Sequence, residues 1–245
     1  KVGATALERR SIDYPRDLLA RQMVNLSSFF NGDRQNLNGR IERALPYWSG
    51  DDRGYSYMLG WRAFGLEECG DYDAAEQTAR RALELAPDDC WAHHALTHVM
   101  EMQCRQREGI QLMEAREAYW AQEDNVFQFH NWWHKALFHL DLGEVDDALA
   151  IYDCGVRGQP ETVQQLMLDA AALLWRMHLQ DLDVGDRWQE LARAYADDNE
   201  AGFYAFNDMH AMMALVANGQ HDQALLRLNA VERAAEGTNT NAQMT

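Results

Sequence analysis

The sequence is short of basic residues, prolines, cysteines and long apolar runs, and each shortage excludes something. Its 245 residues hold 22 Lys plus Arg against 39 Asp plus Glu, a formal net charge of −17. Sequence-independent nucleic-acid binding needs cations that neutralise phosphates, and docking to an anionic membrane surface needs basic clusters; neither partner is expected. No apolar run approaches the roughly 20 residues that span a bilayer as a helix. The four cysteines, Cys69, Cys90, Cys104 and Cys154, show no C-x-x-C spacing, and a chain of this size does not need disulfide staples. A reduced, cytoplasmic protein is the expectation. Gly-x-Gly-x-x-Gly, P-loop, Gly-x-Ser-x-Gly and EF-hand patterns are missing, as is any sustained strand-like alternation. Hydrophobic residues nevertheless make up 47% and charged ones 25%, which is the composition of a folded chain.

What is present is a repeat. Turn signals recur at Asn31-Gly32-Asp33, Cys69-Gly70-Asp71, Leu142-Gly143-Glu144 and Asn218-Gly219-Gln220, with 38, 73 and 76 residues between successive glycines. These gaps are one, two and two units of about 37 residues, a solenoid-like period. The missing turns should fall near Cys104-Arg105 and Asp181–Asp183, where apolar periodicity stops and restarts. Helices are expected near 16–31, 35–45, 54–69, 73–86, 89–103, 107–119, 126–142, 145–157, 161–180, 184–197, 203–218 and 222–235. Pro15, Pro46, Pro87 and Pro160 all fall at junctions between them, where proline's missing N–H does no harm.

The expected fold is all-α, an α-solenoid of about six helical hairpins, each burying its apolar face against its neighbours. Residues 1–236 read as a single helical-repeat domain and 237–245 as a polar tail. Because Lys1 opens directly in helix-like sequence, the chain is expected to be the C-terminal part of a longer protein. A missing N-terminal helical segment, or a second copy in a homo-oligomer, would then pack on the first hairpin.

The stretch from Gly70-Asp71-Tyr72-Asp73-Ala74-Ala75-Glu76 through Arg81-Ala82-Leu83-Glu84-Leu85-Ala86-Pro87 resembles a tetratricopeptide repeat, with its small residues in the second helix and its closing proline. More specifically, Tyr14-Pro15-Arg16-Asp17, Ala63-Phe64-Gly65-Leu66-Glu67-Glu68, Trp91-Ala92-His93-His94-Ala95, His130-Asn131-Trp132-Trp133-His134 and Phe206-Asn207-Asp208-Met209-His210 resemble the tetratricopeptide repeat protein 38 family. That resemblance covers nearly the whole chain and implies a helical-repeat fold more clearly than an activity.

Histidine carries the chemical signal. Six of the nine lie within residues 93–139. His94, His98 and Glu101 fall at i, i+4 and i+7, one stripe of a helix, and His130 and His134 repeat the i, i+4 pairing. His134 and His210 each sit nine residues before their turn glycines, and His94 ten before Cys104. The imidazoles are therefore near-equivalent on three first helices and are expected to share one polar site. Imidazole is both a common metal ligand and a proton carrier near neutral pH. His94, His98 and Glu101 are the candidate ligands for a divalent metal such as zinc. Glu101, His134, Asp208 and His210 are the candidate catalytic groups. Asp17, Tyr57, Trp61, His130, Trp133, Arg176 and Asn207 are the candidate substrate contacts. The plainer alternative is that these histidines are hydrogen-bonded between helices as structural groups, and most of the aromatics are core by the same logic.

Two functions follow. One is a concave His/Asp/Glu/Trp pocket that binds a small molecule or metal, with metal-assisted hydrolysis of a small amide or ester as its chemistry. The alternative is a protein–protein interaction scaffold holding a peptide in the concave groove. Arg62, Lys135 and Arg176 are the main bases on the first helices, too few to grip an acidic peptide, which leaves a basic or apolar one.

Overall fold

A computed structural model describes residues 2–122, 124–125, 127–158, 164–196 and 200–237. The expected tail over 238–245, the junction at Pro160 and most of the acidic run at 197–200 lie outside the described residues. Thirteen α-helices and no strand occur among the described residues: α1 (Val2–Asp13), α2 (Leu18–Phe30), α3 (Arg34–Ala44), α4 (Tyr55–Glu68), α5 (Tyr72–Leu85), α6 (Cys90–Met102), α7 (Gln106–Trp120), α8 (Gln128–Asp141), α9 (Val145–Ile151), α10 (Gln164–His178), α11 (Arg187–Ala196), α12 (Ala205–Ala217) and α13 (His221–Ala235). No helix among them is long and apolar enough to cross a membrane.

The chain divides into two compact units, residues 1–127 and 128–245. Each holds three of the six expected hairpins: α2–α3, α4–α5 and α6–α7 in the first, α8–α9, α10–α11 and α12–α13 in the second. Within each unit a helix packs on its hairpin partner and on the next hairpin. In unit 1, α4 lies on α3, α5 and α6; in unit 2, α10 lies on α8, α11 and α12. Such nearest-neighbour burial is the physical content of an α-solenoid.

The first helix of every hairpin ends in the same way. Gly32, Gly70, Cys104, Gly143, Asp181 and Gly219 all have positive φ, between 55° and 83°. In each case the next residue's N–H reaches back five positions, as in Asp71 N to Leu66 O (2.9 Å), Arg105 N to Met100 O (2.8 Å) and Leu182 N to Met177 O (3.1 Å). This is the left-handed termination that satisfies the last carbonyls of a helix. The two turns that the sequence marks without glycine, at Cys104 and Asp181, adopt it with a side chain, at a cost of about 1 kcal/mol each. Second helices often begin on an acidic cap: Asp33 accepts from Asn36 N and Asp71 from Ala74 N, each satisfying an orphan N–H.

The structure departs from the expected helices in three places. Val2–Asp13 forms a full helix packed on α2 ahead of the first hairpin. The expected helix over 145–157 is α-helical only to Ile151 and continues as a π-helical turn over Tyr152–Val156. A Cβ at Gly155 would stand 2.4 Å from the Trp132 indole, so the widened turn passes over that ring as only glycine allows. The expected helix 16–31 starts at Leu18, because Asp17 turns its side chain back to cap it.

Unit 1 also has an unusually close helix pair. A Cβ at Gly60 on α4 would lie 2.8 Å from Asp89 Oδ1 and 3.1 Å from the Ala92 backbone N. The missing side chain lets the start of α6 rest directly against α4. Asp89, fully buried, caps α6 by accepting from Trp91 N and Ala92 N, each at 3.1 Å.

Candidate functional site

The two imidazole pairs fall in different units, and each is described by itself. In unit 1, α2, α4 and α6 each contribute rings to one continuous row. Phe29 of α2 meets Phe64 of α4 at 5.8 Å between ring centroids. Phe64 in turn meets Trp91, His94 and His98 of α6 at 5.2, 5.6 and 6.1 Å. Beyond them Phe127 stacks on His94 at 4.6 Å and 11° and sits edge-on to Trp91 at 4.8 Å. Tilted and edge-on contacts at these separations are the favourable geometries for aromatic pairs. The row runs from a buried centre (Phe64, His94) to an exposed end, where Phe29 and Phe30 are 46% and 57% accessible.

An acidic edge adjoins the row. His98 Nδ1 lies 3.2 Å from Glu67 Oε2, and ligand atoms of His98, Glu67 and Glu68 all lie within 4.8 Å of one another. Burial is the main force pushing the Glu68 carboxyl up, helped by the charge of Glu67 beside it. Partly buried adjacent carboxylates gain most from a cation. Glu101 is half-buried, one turn beyond His98 on α6. Glu67 and Glu68 were not among the site residues expected from the sequence. Glu67 precedes Gly70 by three residues as Glu101 precedes Cys104, so the repeat period itself marked it.

In unit 2 the His130 ring of α8 points its Nδ1 at Asp169 of α10, 3.0 Å from each carboxylate oxygen. His130 Nε2 lies 3.2 Å from His134 Nε2. Trp133 stacks on His130 (5.1 Å, 16°) and stands edge-on to His134 (4.8 Å). The Arg176 guanidinium covers the other part of Trp133, 5.2 Å from its ring centroid, a cation–π contact. Arg176 also donates to Ala172 O at 3.0 Å rather than pairing with Asp169. Asp169 thus serves the imidazole.

Other expected site residues have structural occupations. Asp17 caps α2 through Ala20 N (3.0 Å) and accepts from Arg10 Nε (2.6 Å). Trp61 is buried among Ile41, Ala44 and Met58. Asp208 forms an ion pair with Arg227 at 2.8 Å, both side chains only 4% accessible, and accepts from Gly202 N. Its neighbour Asn207 is buried. These placements engage the Asp208 carboxylate inside unit 2. His210 donates from Nδ1 to Phe206 O at 2.8 Å, one turn back on its own helix. Burial is the main cause of its lowered pKa, which favours the neutral ring. Tyr57 lies exposed at the start of α4, its hydroxyl proton held more tightly through partial burial and the nearby Asp88 and Asp89 charges.

A surface cavity of about 390 Å³ in unit 2, lined by Tyr152, Asp153, Arg157, Asp186, Arg187 and Glu190, was not foreseen either. Its two cations are engaged by its own acids, Arg157 with Glu190 and Arg187 with Asp153. Both arginines are thereby paired, and with Asp186 the lining has three acids against two cations.

A search against protein-family models finds no match. Among solved structures the chain is similar to YrrB, described as a TPR protein with an unusual peptide-binding site. The identity is 13% and the TM-score 0.45, over 83% of this chain and 96% of that one.

Proposed function

We propose that the protein is a helical-repeat interaction module whose first unit binds an extended peptide carrying both apolar and cationic side chains. The observation that supports this reading is the ring row across α2, α4 and α6 ending at the Glu67–Glu68 edge. Rings from successive first helices offer a series of shallow apolar seats for alternate side chains of an extended chain. A lysine or arginine over the exposed Phe29 ring would gain a cation–π contact, and one beside the half-buried Glu68 would meet a carboxylate backed by that of buried Glu67. The net charge of −17 favours approach of a basic partner and disfavours an acidic one. The reading accords with the resemblance to the tetratricopeptide repeat protein 38 family, whose implication is a fold and not a reaction.

The test is a decapeptide array probed with the full chain, followed by fluorescence anisotropy on the best binders. Peptides alternating Leu or Phe with Lys or Arg should bind, and their Glu-substituted counterparts should not. Phe29→Ala should weaken binding about three- to tenfold through the lost ring contact, and Glu68→Gln by a similar factor that shrinks at high salt. Equal binding of basic and acidic sets, or indifference to both substitutions, would overturn the reading.

A further inference from the structure

We infer that His130 and His134 form a binding site for a divalent transition-metal ion, with Asp169 as the positioning residue behind it. This goes beyond the peptide reading and is independent of it, since it rests on other residues in the other unit. It also differs from the ligand set of His94, His98 and Glu101 that the sequence suggests.

Three observations converge. First, the two Nε2 atoms lie 3.2 Å apart on consecutive turns of α8. An ion at the usual zinc–imidazole distance from both would subtend roughly 100°, close to tetrahedral. Second, the Asp169 carboxylate takes His130 Nδ1 at 3.0 Å from both its oxygens. A carboxylate there holds the proton on Nδ1, makes Nε2 the unprotonated nitrogen on the side of His134 and raises ligand basicity, the usual second shell of a metal-bound imidazole. Third, Trp133 packs against both rings, which fixes their planes. Its buried Nε1 donates to no acceptor among the described residues, so a donor beside the pair remains available to an oxygen ligand. Imidazole nitrogens select zinc, copper or nickel over magnesium and calcium, which prefer oxygen. Asp169 supplies a negative charge that offsets Arg176 beyond Trp133. A tetrahedral ion takes further donors beyond these two nitrogens.

The experiment uses the full chain, stripped with chelator and titrated with Zn²⁺ alone against a chromogenic competitor, with Co²⁺ as the spectroscopic probe. The expected result is specific uptake that His130→Ala and His134→Ala each weaken at least tenfold, while His178→Ala, a change at an exposed ring, leaves it unaltered. Asp169→Asn should weaken it on the order of 10–100-fold and shift the cobalt d–d bands, which loss of a merely structural contact would not do. Half-exposed His130 carries the test if the buried His134 variant does not fold. No Zn²⁺ uptake at 100-fold molar excess, or uptake indifferent to His130→Ala, would overturn the site, and an Asp169→Asn protein matching the parent in affinity and spectrum would overturn the role of Asp169.

Discussion

Asp89 offers the clearest quantitative test of how unit 1 is held together. It is fully buried at the N-terminus of α6 and wedged against Gly60. One oxygen caps the helix, whereas Oδ2 has no hydrogen-bond partner among the described residues. Burial pushes its carboxyl up to about 7, against the lowering effect of the Ala92 and Trp91 N–H groups. In the unfolded chain the same group loses its proton near pH 4. Between those values the folded state holds a proton that the unfolded state lacks, so Asp89 makes stability fall as pH rises from about 4 to about 7. A pKa rise of that size corresponds to about 4 kcal/mol between the two ends of the window. Asp89→Asn keeps an acceptor for the cap and removes the ionisation. Chemical denaturation of both proteins, followed by circular dichroism from pH 4 to pH 8, isolates the effect as a difference. The variant should match the parent at pH 4 and exceed it by roughly 2–4 kcal/mol at pH 8. Parallel curves, or a variant weaker at pH 8, would refute the reasoning. Asp89→Ala should lose the cap itself, about 1 kcal/mol at pH 4.

Two further outcomes follow from ion pairs of opposite kinds. Glu76 takes Arg105 at 2.6 Å and Arg80 at 2.6 Å, and the hydrogen bond from Arg105 is the main reason its pKa is lowered. Its contribution is therefore present at neutral pH and lost progressively as pH falls below about 4.5 and through the lowered folded-state pKa; Glu76→Gln should cost about 1 kcal/mol at pH 7 and steadily less as the pH is lowered, as read from denaturation midpoints. The buried Asp208–Arg227 pair should behave as structure: Asp208→Ala should cost about 3–5 kcal/mol by stranding the guanidinium, and the double variant Asp208→Leu/Arg227→Met should recover most of it. Thermal melts of the three proteins check this.

The fold was legible because its turns are chemically marked. Even the two unmarked turns could be placed from the period, since Cys104 and Asp181 stand where a glycine would. The π-helical turn was not legible: nothing in Tyr152-Asp153-Cys154-Gly155-Val156 announces that Trp132 will occupy the space beside Gly155. At the candidate sites, spacing along one helix identified both i, i+4 histidine pairs. Their partners on neighbouring helices were harder, since Asp169 reaches His130 across 39 residues and Glu67 reaches His98 across 31. The partners of Asp17 and Asp208 were not legible for a common reason. A carboxylate written beside functional-looking residues reads the same whether it will face a ligand, a helix terminus or a buried arginine.

The contact through Gly60 has a mechanical consequence. At Gly60 the α4 backbone meets the Asp89 carboxylate and the Ala92 N–H of α6 with no side chain of its own between them, so at that point the two helices cannot slide independently. The packing of Phe64 on Trp91 and His98, which belong to the same two helices, is anchored by that contact. Under the peptide reading, that fixed spacing would select among guests by the separation of their side chains.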